Sequence, residues 1–216
     1  MIVFTIVFGK LAKINSDGVP YAIFSYTALV PWTYFSGALT GASGSLLGAS
    51  GMMTKVYFPR LIIPMAPVMS KLIDFGIAFV ILLLMMAYFG FMPSIQIIYL
   101  PLLILIMMIT ASGMGMWLTA MAVQYRDINY AMSFFVQLLM YAAPVVYPAS
   151  IIPEPFRLIY GCFPMVGVIE GFRSILLKTN PMPWDLIGVG SIVACFLFIS
   201  GAFYFRRMEK YFADVA

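Results

Sequence analysis

Two opposite-charge pairs stand where charge is scarce: Lys71 with Asp74 in "SKLIDF", and Glu170 with Arg173 in "VIEGFRSIL". Their i, i+3 spacing puts both members of each pair on one helical face, close enough to bond. Ionisable groups inside an apolar helix are costly, so they point either to an ion pathway or to a pair that neutralises itself. A proton relay needs a longer series of acids, and this chain has eight Asp and Glu dispersed over 216 residues. Lys71 and Asp74 therefore read first as an intramembrane structural bridge, with an ion pathway as the alternative. The same two readings apply to Glu170 and Arg173.

Other chemistry is poorly served. The chain has no histidine, which removes the commonest general base and the commonest metal ligand. Cys162 and Cys195 are single and far apart, so neither a disulfide nor a metal framework is expected. No G-x-x-x-x-G-K-[ST] loop is present to cradle nucleotide phosphates, and ATP-driven work has to come from another subunit. An enzyme acting on lipid-linked sugars within the membrane would need a clustered acid or metal site. It remains the weaker alternative to a chain that is not itself an enzyme.

The elements that position these residues follow from composition. Hydrophobic residues make up 63% of the chain and charged residues 9%, against about 45–50% and about 25% in soluble domains. Such an excess implies lipid contact and an all-α integral membrane protein, a single domain over residues 1–216. The 12 Lys and Arg are scattered between apolar runs, which suits topology signals and not a nucleic-acid face. Spans are expected at about 21–47, 62–89, 95–123, 130–146 and 186–205, each near or above the roughly 20 apolar residues that cross a bilayer. Before them, Ile2–Phe8 is apolar but short, without the basic flank and cleavage site of a signal peptide. Residues 1–9 are expected to be the outer half of a truncated first span.

Orientation rests on the short connections. Lys55, Arg60, Arg126, Arg206, Arg207 and Lys210 cluster at span ends on one side, while Lys10, Lys13, Arg157, Arg173 and Lys178 are spread over long connections on the other. The clustered side is expected to be cytoplasmic, with the charged tail 206–216 inside. In "SGALTGASGSLLGASG", Gly37, Gly41 and Ser45 recur every fourth residue and allow a second backbone to approach. That approach is either packing within the bundle or a dimer seam.

Residues 148–178 are broken by Pro148, Pro153, Pro155 and Pro164 into two apolar stretches too short to span. They read either as a re-entrant outer gate or as an amphipathic cap resting on the bundle. Aromatics form 16% of the chain. Trp32, Tyr34, Phe35, Tyr141 and Tyr147 could stack on sugar faces and bond hydroxyls, although packing is the commoner reason for an aromatic in a span.

Three stretches in order, "KVYFPRLIIP", "YRDINYAMSFFVQLLMYAAPVVYP" and "PMVGVIEGFRSILL", resemble the permease subunits of type-2 ABC exporters. The likeness is to the branch that exports lipid-linked polysaccharides such as O-antigen, capsule or teichoic acid. It implies a six-helix bundle in the bacterial cytoplasmic membrane and a homodimeric pore. It also implies a separate ATP-binding subunit that uses ATP and Mg, with no cofactor in this chain. Members begin with an amphipathic helix and a complete first span, which this chain is expected to lack. By resemblance, Gly51 to Arg60, including Lys55, Tyr57, Phe58, Pro59 and Arg60, form a coupling helix against the ATPase. Tyr125, Arg126 and Asp127 belong to the second cytoplasmic connection. Phe156–Leu177, with Pro164, Glu170, Gly171, Phe172 and Arg173, match the short outer helices that gate the exit. Membrane lipid and a lipid-linked polysaccharide are the implied partners, with no nucleic acid. Export of a small hydrophobic compound by the same fold is the alternative.

Overall fold

The computed structural model describes residues 18–49, 51, 59–125 and 127–209. The half-span at residues 1–9, the coupling residues Lys55, Tyr57 and Phe58, Arg126, and the tail from 210 to 216 lie outside them. Among the described residues there are seven α-helices and no strands: α1 Tyr21–Gly48, α2 Ile62–Tyr88, α3 Leu100–Gln124, α4 Asp127–Ala142, α5 Glu154–Gly161, α6 Pro164–Leu177 and α7 Trp184–Met208. A 3-10 turn, Ile95–Tyr99, leads into α3. By length and composition α2, α7 and the run Ile95–Gln124 can each cross a membrane. The helix read from "DINYAMSFFVQ" begins at Asp127 and ends at Ala142, with turns over residues 143–147 before Pro148.

Helix α1 is the centre of the bundle, bearing on α2, α3, α4 and α6. Its 28 residues extend about 42 Å at 1.5 Å per residue, enough for a hydrocarbon core of about 30 Å. Enclosure explains how it carries Ser25, Thr27 and Ser43, which are buried and bond backward to carbonyls of α1 itself. The small-residue stripe serves packing within the chain. A Cβ added at Gly41 would come within 2.9 Å of Pro67 Cβ, and one at Gly37 within 3.4 Å of Lys71 Cδ, both on α2.

The α3–α7 crossing is closer still. A Cβ at Gly113 would lie 2.6 Å from Phe198 N, and one at Gly201 would lie 2.5 Å from Gly113 O, so the two backbones touch. At the far end of α2, Gly90 takes φ +75°. Phe91 N–H donates to Met86 O at 2.9 Å and Gly90 N–H to Ala87 O at 3.2 Å. This reciprocal closure is the Schellman geometry, which favours glycine because it requires a left-handed residue.

Contacts between segments close both ends of the bundle. At one end Tyr21 Oη donates to Val146 O at 2.9 Å, and Ser94 N–H to Ile175 O at 2.8 Å. At the other, Arg60 Nη1 donates to Glu209 O at 2.9 Å, joining the start of α2 to the end of α7.

Candidate functional site

The candidate site is built around a sharp break in the chain. Helix α5 ends at Gly161, and Pro164 starts α6 at a position where the missing N–H costs nothing. The two helices are bent by 108°, the geometry of a broken span or a re-entrant loop. Every residue of α6 is buried, so this part of the segment is embedded in the bundle. Helix α5 differs, with Phe156, Leu158 and Ile159 exposed. Helix α5 thus lies on the outside of the bundle and α6 lies within.

Close approaches seat α6. A Cβ at Gly167 would lie 2.8 Å from Leu186 O on α7, and one at Gly171 would lie 2.8 Å from Leu103 Cδ1 on α3. The Phe172 ring meets Phe75 and Phe79 of α2 edge-on, with centroids 6.2 and 6.4 Å apart. That offset edge geometry is the favoured one for aromatic pairs.

On this seated helix stand Glu170 and Arg173. Arg173 Nη1 meets Glu170 Oε1 at 2.8 Å, and the arginine is only 1% exposed. The same Nη1 donates to Tyr147 O at 3.1 Å and Nη2 donates to Val145 O at 3.0 Å. The guanidinium carbon sits 3.7 Å from the Phe24 ring centroid on α1, a cation–π contact that is strongest when desolvated. Glu170 Oε1 also accepts from Ala149 N at 3.2 Å. A buried ion pair is tolerable only when further hydrogen bonds satisfy both partners, and here the connection from Val145 to Ala149 supplies them. The pair therefore fastens that connection onto α6 and α1.

Tyr147 extends the fastening. Its hydroxyl is 2.9 Å from Tyr141 O and 3.1 Å from the Tyr160 hydroxyl, so the end of α4 and helix α5 converge on one side chain. Behind Glu170 is a cavity of about 150 Å³ lined by Ser150, Arg157, Asn180 and Leu186 among others. At its edge Arg157 Nε pairs with Asp185 Oδ2 at 2.9 Å, linking α5 to α7.

The other expected site residues are distributed as follows. Lys71 Nζ and Asp74 Oδ2 pair at 2.8 Å on the outer surface of α2, and both side chains are exposed. Trp32, Tyr34 and Phe35 are buried in the core of the chain. The Tyr34 hydroxyl donates to Val68 O at 3.1 Å, and Phe35 packs edge-on to Phe163. Packing accounts for these three, and they present no open face for a sugar. Tyr141 is exposed and Tyr147 half-buried. At the opposite end, Pro59 and Arg60 precede α2, and Tyr125 is exposed between α3 and α4. Asp127 occupies the first turn of α4, where a negative charge suits the helix dipole.

Sequence reasoning missed Phe24, the Arg157–Asp185 pair, and the stack of Trp117 on Tyr204 at 4.3 Å between α3 and α7. All three join residues distant in sequence and leave no local pattern. Cys162 and Cys195 are exposed free thiols. Among the described residues no group of three or more His, Cys, Asp or Glu could hold a metal ion.

Known proteins place this architecture. Over 214 residues the chain is 24% identical to the O-antigen export system permease protein RfbA of Myxococcus xanthus, a match covering 98% of this chain and 82% of that protein. Two proteins of the same name from Klebsiella pneumoniae are 24% identical over 196 residues, covering 90% of this chain and 75% of theirs. The family described as ABC-2 type transporter matches residues 1–177. Its permeases are the integral membrane components of ATP-driven exporters and work with a separate ATP-binding subunit. With most of its length inside that match and an all-helical bundle to go with it, this chain belongs to the ABC-2 type transporter family.

Proposed function

We propose that two copies of this chain form the permease through which a partner ATPase drives lipid-linked polysaccharide outward across the bacterial cytoplasmic membrane. The observation that carries the gating part of this reading is the bent α5–α6 pair and its buried Glu170–Arg173 fastening. Breaking such a latch strands a buried charge, so it would hold the connection closed until the ATPase drives it open. Opening would swing the Val145–Ala149 connection off α6, and Tyr141 and Tyr147 would meet the glycan as it leaves. The substrate class is supported by relatives named as O-antigen export permeases across nearly the whole chain.

The power stroke enters at the other end. The connections between α1 and α2 and between α3 and α4 would receive the ATP-binding subunit, with Lys55, Tyr57, Phe58, Pro59 and Arg60 in the first and Tyr125, Arg126 and Asp127 in the second. The Arg60 bond to Glu209 O gives the first connection a grip on α7 as well as α2.

The test is reconstitution with the ATP-binding subunit in proteoliposomes. Lipid-linked polysaccharide should accelerate ATP hydrolysis and cross the bilayer in an ATP-dependent way. Acceleration by small hydrophobic compounds, with none by the glycan, would assign the chain to drug-type export instead. Pull-down of the native complex should return the ATP-binding subunit at one-to-one stoichiometry with this chain.

A further inference from the structure

We infer that the groove between α3 and α7 is a binding site for an anionic phospholipid of the leaflet at the Arg206/Arg207 end of the bundle. The groove has a volume of about 590 Å³ and is lined by Trp117, Phe196, Ile199, Ser200, Phe203, Tyr204 and Arg207. Its floor is set by two contacts. Trp117 stacks on Tyr204 at 4.3 Å with the rings nearly parallel, and Trp117 Nε1 donates to Ser200 Oγ at 3.2 Å. The indole N–H and the Ser200 hydroxyl are thus turned to one another, which leaves a largely apolar slot suited to an acyl chain. The walls Phe196, Ile199 and Phe203 are exposed, an apolar face fit to meet lipid tails.

Charge decides which lipid. Arg207 closes one end of the groove, Arg206 adjoins it in the last turn of α7, and both are exposed. Among the described residues neither arginine has a carboxylate partner within ion-pair distance, and no acidic side chain lines the groove. Guanidinium groups match phosphate oxygens in a forked geometry, and basic residues at the membrane surface favour anionic lipid.

Length fits as well. Phe196 and Arg207 are separated by eleven helical steps along α7, about 16 Å at 1.5 Å per residue, close to half of a hydrocarbon core about 30 Å thick. A lipid whose phosphate rests on Arg207 would therefore lay one acyl chain along the slot to the bilayer midplane. The Gly113–Gly201 contact fixes the spacing of α3 and α7 beside this slot, so its width follows from backbone packing and not from mobile side chains. The proposal stands apart from the export substrate, because it requires only a bilayer lipid.

The experiment uses Trp117 as the reporter. Full-length protein carrying Trp32→Phe and Trp184→Phe is placed in phosphatidylcholine bilayers containing one-tenth brominated phosphatidylglycerol or, separately, one-tenth brominated phosphatidylcholine. Quenching by the anionic lipid should exceed that by the neutral one severalfold. The excess should vanish in Arg207→Gln and return in Arg207→Lys, and matched melting curves in phosphatidylcholine should show that all three variants are folded. Equal quenching by the two lipids would overturn the proposal. So would an anionic preference that survives Arg207→Gln, since the headgroup would then be held elsewhere. If the two background substitutions unfold the protein, native mass spectrometry of the otherwise unaltered chain gives the same decision. Retained phosphatidylglycerol should then be lost in Arg207→Gln, and no difference between the two proteins would defeat the assignment.

Discussion

Arg173 sits over the ring of Phe24, 3.7 Å from guanidinium carbon to ring centroid, and through that contact helix α6 is joined to the central helix α1. The terminal nitrogens of the same guanidinium hold Glu170 and the carbonyls of Val145 and Tyr147. One side chain thus ties together three segments, and its directional donors explain why an arginine and not a lysine stands there. A lysine could neutralise Glu170, but it lacks the planar fork whose two terminal nitrogens here reach Tyr147 O and Val145 O separately.

Replacing Arg173 by Met should leave Glu170 buried without its counter-charge, a change that typically costs about 3–5 kcal/mol. Adding Glu170→Gln should recover much of the lost melting temperature in detergent, because no charge is then stranded. Export by the double variant separates structure from gating. A stable protein that leaks or stalls supports the latch, whereas normal ATP-driven export would reduce the pair to a structural bridge.

Gly113→Ala should weaken the α3–α7 crossing by about 1–3 kcal/mol, the usual cost of forcing atoms into a packed interior. Its new methyl would meet backbone at 2.6 Å, and backbone cannot rotate away. Gly188→Ala on α7 is the control, since nothing lies within 4 Å of its Cβ position and alanine is the better helix former. Thermal melts of the two variants should move in opposite directions or leave Gly188→Ala unchanged.

The long apolar helices could be read from sequence because a bilayer demands about 20 apolar residues in one run. The i, i+3 spacing of Glu170 and Arg173 was equally visible, and Pro164 marked the break before them. What could not be read was who else Arg173 serves. Val145, Tyr147 and Phe24 reach it only after α1, α4 and α6 have packed. Gly113 and Gly201 were hidden for a related reason: they stand on different helices, and a crossing point has no period. Trp32, Tyr34 and Phe35 illustrate the limit of residue type. The same rings suit a sugar or a core, and only their depth inside the bundle distinguishes the two.

Tyr34→Phe tests that distinction directly. The ring stays in place while the hydroxyl bond to Val68 O is lost, so stability should fall by about 1 kcal/mol and export should be unaffected. Tyr141→Ala should do the reverse, because its exposed ring contributes little to the core and would meet the glycan along the proposed path. A transport defect in Tyr34→Phe without loss of stability would return Tyr34 to the substrate path.

Lys71 and Asp74 should behave as a unit. Lys71→Leu alone leaves an unpaired acid on a lipid-facing helix and should lower the yield of membrane-inserted protein. The double variant Lys71→Leu, Asp74→Leu should restore insertion and retain export. Loss of export despite full insertion would favour an ion pathway through the pair over a structural bridge.

The coupling assignment predicts a different signature from all of these. Tyr57→Ala with Phe58→Ala should leave the chain in the membrane with its ATPase bound, while hydrolysis no longer responds to polysaccharide. Arg60→Ala should give a milder form of the same defect, because it removes the tie to Glu209 O and lets the first connection move without carrying α7. The decisive quantity is the ratio of polysaccharide moved to ATP consumed. A fall in that ratio with ATPase binding intact identifies coupling. A parallel fall in transport and hydrolysis would mean that these residues only hold the subunits together, and an unchanged ratio in the double variant would remove them from the power stroke altogether.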